Sequence, residues 1–300
     1  MLSLCKSLPK TQSKGTFETV DKPTPVQNSA SVLGSNQFKI VSREKLFVSE
    51  PDPRMFGNSA NPSKGRGAGW TNENWLKSRF HFSFAEYYNG PSNFGVLRVM
   101  NDDLVQPQRG FGMHPHRDME IVTLVVDGML SHRDSMGTEE TIGRGSIQFM
   151  TAGTGIRHSE HNLQPNTPLR FIQMWITPRK RGLRPNYGSM VGNEAAAENR
   201  KNQWAQLVSD AAGDVRTPVQ INQDCNMFVA ELAPGVAAPP FEVKEGRQVY
   251  MLCLEGTVSS AGGGQELRRH DAAEIKGNCT LEFLAGGEGS FVLLVEMSMR

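Results

Sequence analysis

The chain has no long apolar run and almost no net charge. None of its apolar stretches approaches the roughly 20 residues that a membrane-spanning helix needs. Its 32 basic and 31 acidic residues leave a formal net charge of +1, so no overall field would attract nucleic acid or an anionic membrane. These absences argue against a membrane span and against direct nucleic-acid binding. A small neutral or weakly acidic ligand fits this charge balance as well as any other partner.

Cysteine is also scarce. The four thiols, Cys5, Cys225, Cys253 and Cys279, form no Cys-x-x-Cys pair. We therefore expect buried free thiols in a reducing compartment, and hence a cytoplasmic protein. No Ser-His-Asp or Cys-His arrangement can be singled out as a covalent nucleophile either.

The N-terminal segment 1–37 shows no periodic apolar pattern. It carries Lys6, Lys10 and Lys14 before its first acidic residue, but it has no arginine and no amphipathic face. We interpret this segment as a disordered tail. The alternative is a transit segment that would direct the chain to an organelle or to the nucleus.

Short alternating apolar patterns, separated by turn residues, predict an all-β fold from Phe38 onward. A strand is predicted over 121–126, followed by a tight turn at Asp127-Gly128, where positive backbone φ angles are tolerated. The strand that returns from this turn would carry His132. Strands at this spacing are typical of a sandwich or barrel.

The pattern divides the chain into two barrels in tandem. Residues 38–188 form the first barrel and 216–300 the second, while 189–215 is a short helical connector. A helix is predicted over 193–208, because that stretch is rich in alanine, glutamate, lysine and glutamine. The second barrel has His270 as its one histidine, so no metal site is expected there.

Two dipeptide-spaced pairs of potential metal ligands are the most informative feature: His114-Pro115-His116 and His158-Ser159-Glu160. Alternate residues of a β-strand point to the same face, so each pair can aim both side chains into one cavity. Returning strands of a barrel can bring the two pairs together. Three imidazoles and one carboxylate suit Fe(II), Mn(II), Ni(II) or Cu(II) better than Ca(II), and they leave two octahedral positions open.

A second carboxylate competes for the fourth ligand position. Counted from His116, strand alternation would also place Glu120 on the ligand face, so the residues alone leave Glu120 and Glu160 both open. His132 is a candidate for contact with the substrate, or for contact with one of the metal ligands without binding the metal itself. His161 points away from Glu160 by alternation and is not expected to bind the metal.

Three runs of sequence carry a family resemblance. They are Gly110-Phe-Gly-Met-His114-Pro-His116-Arg-Asp-Met-Glu120, His132-Arg-Asp-Ser-Met-Gly137 and Met150-Thr-Ala-Gly-Thr-Gly-Ile-Arg-His158-Ser-Glu160-His-Asn162. Together they resemble the pirin family of bicupins, and the similarity covers residues 38–188. The C-terminal part is similar more faintly, through 221–224 and 247–250.

The resemblance implies two tandem cupin barrels of the jelly-roll type, with one divalent metal in the N-terminal barrel. The ligands would be His114, His116, His158 and Glu160, and the metal would be iron, with manganese, nickel, copper or cobalt as alternatives. The implied activity is similar to that of quercetin 2,3-dioxygenase, which opens the central ring of a flavonol with O₂ and releases carbon monoxide. Glu160 would then also be the catalytic base that takes the flavonol hydroxyl proton.

Other pirins resemble regulators that bind transcription factors or enzymes. The alternative function is therefore a metal-containing regulatory protein with a protein partner and little or no catalysis. In either case we expect a monomer.

Some residues carry weaker predictions. Five side chains could line a substrate pocket, although core packing is the favoured interpretation for each: Met113, Phe149, Met150, Met174 and Trp175. Asn222 stands where many relatives carry histidine, which argues against chemistry in the second barrel. The basic run 179–184 is interpreted as a solvated connector, and the glycine-rich segment 64–69 as a surface loop.

Overall fold

The computed structural model describes residues 37–58, 75–260 and 264–299. All of these lie within one compact unit, Val32–Arg300. The predicted N-terminal tail up to residue 36 and the glycine-rich segment 64–69 lie outside the described residues. No helix in the described part of the chain is long and apolar enough to cross a membrane.

Strands dominate the first part of the described chain, as the alternating patterns predict. In chain order they are β1 (Phe38–Val41), β2 (Phe47–Ser49), β3 (Leu76–Phe80), β4 (Leu97–Val105), β5 (Arg109–His116), β6 (Glu120–Asp127), β7 (Leu130–Asp134), β8 (Glu139–Ile142), β9 (Ile147–Thr151), β10 (Ile156–Asn162), β11 (Leu169–Ile176) and β12 (Asn186–Met190). Short 3₁₀ turns lie at Arg43–Lys45 and Met55–Gly57. As predicted, Gly128 makes the turn after β6, with φ +80°, and the returning strand β7 carries His132.

Two sheets form the first barrel. One has seven strands in the order β12-β9-β6-β11-β4-β3-β2, and the other has four in the order β5-β10-β7-β8. Neighbours in each sheet are mostly distant in sequence. This order places the strand of the first histidine pair, β5, directly beside the strand of the second pair, β10.

The second barrel follows the one α-helix of the described chain. The elements are α1 (Glu194–Arg200), β13 (Ala205–Asp210), β14 (Val219–Ile221), β15 (Cys225–Leu232), β16 (Phe241–Val243), β17 (Arg247–Ser260), β18 (Glu266–Arg268), β19 (Ala272–Lys276), β20 (Cys279–Leu281) and β21 (Phe283–Ser298). An eight-stranded sheet and the two-stranded sheet β16-β20 make up this barrel. The prediction of an all-β chain with two barrels is therefore confirmed.

The predicted helix over 193–208 is wrong in its second half. Asn193 caps α1 by accepting a hydrogen bond from the backbone of Ala196, but the helix ends at Arg200. Residues 205–210 form β13, which pairs with β15 and buries Leu207 and Val208. Burial and pairing in the sheet outweigh a helix propensity of a few tenths of a kcal/mol per residue.

The chain also contributes a strand to the second barrel at an earlier position than the sequence predicts. Strand β1 pairs with β19 in the sheet of the second barrel, although residues 38–188 were expected to belong to the first. A buried ion pair of the first barrel also contacts the second: Arg170 on β11 bonds Asp102 on β4 at 2.7 Å, and it donates to the Leu254 carbonyl of β17 at 2.6 Å. One apolar core cluster contains residues of both barrels, such as Val122 and Leu293.

Candidate metal centre

Three histidine side chains meet where β5 and β10 lie side by side. The strands are antiparallel, and His158 pairs directly with His114. The ring centroids are 4.5 Å apart for His114 and His158, 4.7 Å for His114 and His116, and 4.8 Å for His116 and His158. Because His114 and His116 are two residues apart on one strand, both rings turn to the face that His158 occupies.

The nitrogens of this three-histidine cluster suit a metal ion. Both ring nitrogens of His158 are buried and have no hydrogen-bond partner among the described residues, which is costly for polar atoms unless a ligand binds them. The Nδ1 of His114 lies 2.7 Å from the Gly112 carbonyl oxygen. That nitrogen donates, so Nε2 is the one that can bind a metal. The donor set therefore fits the divalent metal that the sequence predicts.

Burial keeps these imidazoles neutral. It lowers the pKa of His116 to about 4. It lowers the pKa of His158 to about 2, with a smaller contribution from the neighbouring histidines. The pKa of His114 is lowered for the same reason. Neutral imidazole is the form that binds metal ions, so the cluster is ready to do so at physiological pH.

Glu160 lies beside the cluster, in a second group of potential ligands. The register of β5 and β10 shifts between His158 and Glu160, so that Glu160 pairs with Phe111, and on the other side Glu160 pairs with His132 of β7. Its carboxylate lies within 4.8 Å of ring nitrogens of both His132 and His158. The four predicted ligands are thus gathered around His158, but they divide into two overlapping groups.

Two amide side chains hold the Glu160 carboxylate. Gln148 donates to Oε1 at 2.9 Å and Gln173 donates to Oε2 at 2.8 Å, while the Thr123 hydroxyl lies 3.4 Å from Oε1. These three residues form one row across the seven-stranded sheet, since Thr123 pairs with Gln148 on β9 and with Gln173 on β11. Burial raises the pKa of Glu160 to about 7 in spite of these donors. Neither glutamine could be predicted as a partner of Glu160 from the sequence, because a single strand contains no sign of its cross-strand partners.

His132 lies against the same group with partners of its own. Its Nε2 is 3.2 Å from the Asp134 carboxylate, and its ring stacks on Tyr187 with centroids 4.5 Å apart. Its Nδ1 is buried without a partner. His161 is in neither of the two groups of potential ligands within the described residues.

Glu120 faces away from the histidines. Its carboxylate accepts hydrogen bonds from the Thr151 hydroxyl at 2.8 Å and from Asn222 at 3.1 Å. Alternation cannot be counted from His116 to Glu120, because β5 ends at His116 and Asp118, with φ +51°, lies in the turn before β6. Within β6, Glu120 lies on the opposite face from Thr123. Asn222 is therefore a hydrogen-bond partner of Glu120.

A cavity of about 370 Å³ adjoins the three-histidine cluster. Its walls are mainly aromatic and apolar, and include Phe56, Trp75, Phe80, Phe84, Phe111 and Trp175. Of the five residues considered for a pocket, Trp175 lines this cavity, and the other four do not. Met113 is 44% exposed, and Phe149, Met150 and Met174 belong to buried core clusters. Alternation explains part of the difference, since Gln173 and Trp175 face the cavity and Met174 between them faces the core.

The fold and the site together define a two-barrel cupin with a candidate metal centre in its first barrel. The family model described as pirin matches residues 62–176, and the model described as the quercetinase C-terminal cupin domain matches residues 206–297. A pirin-like protein of Caulobacter vibrioides is 36% identical over 227 residues, which cover 75% of this chain and 94% of that protein. The chain belongs to the pirin family, as its motifs predict.

Two further relatives bear on the site. The quercetin 2,3-dioxygenase of Escherichia coli is 48% identical over 126 residues, which cover 41% of this chain and 54% of that protein. The crystal structure of the bacterial pirin YhhW from Escherichia coli, in complex with nickel(II), superposes with a TM-score of 0.70 at 28% identity. That comparison covers 88% of this chain and 100% of the other.

Proposed function

We propose that the chain is a metal-dependent dioxygenase that opens the central ring of flavonols with O₂ and releases carbon monoxide. The observation that carries this proposal is the contact between an aromatic cavity of about 370 Å³ and a cluster of three histidines, one of which has two unpartnered buried nitrogens. Ligand-binding cavities are mostly apolar and have a few placed polar groups or a metal, and this cavity has aromatic walls with metal-binding nitrogens at its side. The name of the Escherichia coli relative supports the same reaction.

His114, His116 and His158 would hold the metal, with Glu160 as the fourth ligand. We propose Fe(II) as the resident ion, and the nickel(II) complex of the bacterial pirin keeps nickel as an alternative. A bound divalent metal supplies open coordination positions and stabilises negative charge on the oxygens of an enol and of O₂.

The side chains of the site would orient the substrate and move its proton. Glu160 is the proposed base for the 3-hydroxyl proton, and the amides of Gln148 and Gln173 hold its carboxylate in a fixed direction. The aromatic walls, among them Trp175 and Phe111, would pack against the flavonol rings and exclude water. A fixed base and a dry cavity both favour proton removal from a bound enol.

Anaerobic loading with Fe(II), followed by quercetin and then O₂, tests the proposal. We expect the flavonol absorption band to disappear and carbon monoxide to be released, and we expect His114→Ala to abolish both. Arg133→Ala, which changes an exposed residue of β7 outside the cavity, is the matched control. If several metals and several flavonols give no turnover, the proposal is wrong and a metal-containing regulatory protein becomes the better interpretation.

A further inference from the structure

The cavity has a second polar wall, separate from the histidines. It consists of Ser78 on β3 and of Asn101 and Asp103 on β4. Asn101 and Asp103 share a face because they are two residues apart, whereas Asp102 between them points away, toward Arg170. Cross-strand pairing places this wall beside the metal centre. Asn101 pairs with Gln173, which donates a hydrogen bond to Glu160, and Ser78 pairs with Asp103.

Asn101 has an unused hydrogen-bond acceptor. The residue is 5% exposed, and its Oδ1 is buried with no hydrogen-bond partner in the part of the chain that the structure describes. A buried carbonyl oxygen without a donor is unfavourable, so such groups usually mark a position that a ligand or a water molecule fills. Here the group lines a cavity large enough for an aromatic ligand.

Asp103 makes this wall neutral rather than charged. Among the described residues its carboxyl group has one hydrogen-bond partner, the Ser78 hydroxyl. Burial raises the pKa of Asp103 to about 8, so the protonated form prevails at neutral pH. A neutral carboxyl group next to a free carbonyl oxygen suits a hydroxyl group better than a cation.

We propose that Asn101, together with Asp103 and Ser78, binds a hydroxyl group on the part of the ligand that lies away from the histidines. Gln173, which holds Glu160, is one strand from Asn101 and two from Ser78, and two strand spacings span about 10 Å. One to two spacings, about 5–10 Å, match the distances from the 3-hydroxyl of a flavonol to the hydroxyl groups of its outer rings, when the 3-hydroxyl lies at the metal centre. These three side chains would thus set the preference among flavonols, an inference that rests on the proposed function.

Equilibrium binding of two flavonols to the metal-loaded protein under anaerobic conditions tests this subsite. Quercetin carries hydroxyl groups on its outer rings, and 3-hydroxyflavone has none there. We expect the wild-type protein to bind quercetin about tenfold more tightly, since a site built for a hydroxyl disfavours a ligand that lacks it. In Asn101→Leu the preference should vanish through weaker quercetin binding, while the affinity for 3-hydroxyflavone stays within about twofold.

Two further variants separate a specific loss of hydroxyl binding from a general effect of the substitution on the protein. Asn186→Leu makes the same change on an exposed residue of β12, and should leave both affinities unchanged. Ser78→Ala removes the one donor to Asp103, and should weaken quercetin binding selectively even if Asn101→Leu does not fold. Metal content and thermal unfolding of each variant establish that the fold is retained.

Two results would overturn the subsite. If Asn101→Leu and Ser78→Ala, when folded, keep the wild-type ratio of the two affinities, the subsite is wrong and the proposed dioxygenase function is untouched. If the wild-type metal-loaded protein binds neither flavonol, both the subsite and the proposed function are wrong.

Discussion

Separate glutamine substitutions at Glu160 and Glu120 distinguish a metal ligand from a structural hydrogen-bond partner. Both carboxylates are buried, at 2% and 0% exposure, and the substitution keeps the size of the side chain in each case. Loss of a residue that hydrogen-bonds to a metal ligand lowers metal affinity roughly 10- to 100-fold. We expect Glu160→Gln, which changes a proposed ligand itself, to lower metal affinity by more than this. The reason is that the substitution removes a negative oxygen within reach of His158.

Glu120→Gln should instead lower stability and keep the metal. One carboxylate oxygen becomes an amide nitrogen, which cannot accept the hydrogen bond that either Thr151 or Asn222 now donates. A buried donor left without an acceptor costs about 1–3 kcal/mol of unfolding free energy. For a chain of this size, that loss lowers the melting temperature by roughly 2–10 °C.

The two effects are measured on the same samples. Metal content after dialysis against chelators of graded affinity gives the change in metal binding, and calorimetry gives the change in melting temperature. Glu120→Gln should match the wild type in metal content, and Glu160→Gln should not. The assignment is refuted if Glu120→Gln loses the metal while Glu160→Gln retains it.

Local sequence was sufficient to find the three-histidine cluster. His114, His116 and His158 are fixed by alternation within two strands, and alternation needs no knowledge of which strands are neighbours. The pairing of β5 with β10 then places His158 opposite His114. The motif could therefore be found from the sequence, because a two-residue spacing on a strand by itself places both side chains on the same face.

The support around Glu160 could not be predicted in this way. Gln148 and Gln173 lie on different strands and meet one carboxylate only because β9, β6 and β11 are adjacent in the sheet. The cavity walls have the same origin, since Phe56, Trp75 and Phe111 come from three separate segments. Cross-strand register is a long-range property, and it is absent from the pattern of any single strand.

Helix propensity failed for a related reason. The stretch after Arg200 has a composition that suits a helix, but its alternate residues include Leu207, which packs into the core that both barrels share. Tertiary burial decided the conformation there. The early crossing of β1 into the second sheet likewise depends on pairing with β19, more than 230 positions further along the chain.

Two further predictions concern the contact between the barrels and the wall of the cavity. Asp102→Asn breaks the fully buried pair with Arg170 and should cost about 3–5 kcal/mol of unfolding free energy. Arg179→Ala, which breaks an exposed pair with Asp210, should cost less than about 1 kcal/mol. Urea unfolding measures both effects, and equal shifts of the unfolding midpoint in Asp102→Asn and Arg179→Ala would contradict the structural role of Asp102. Gly112→Ala places a Cβ atom 2.5 Å from the Phe56 carbonyl oxygen, and Phe56 packs edge-on against His114 and Trp75 in the cavity wall. The backbone of the 3₁₀ turn Met55–Gly57 must therefore shift, since a carbonyl oxygen cannot rotate away as a side chain can. We expect quercetin affinity to fall up to roughly tenfold, whereas Gly213→Ala, whose Cβ meets its nearest neighbour at 3.4 Å, should leave it unchanged. Unchanged quercetin affinity in Gly112→Ala would mean that this turn is not part of the ligand-binding wall.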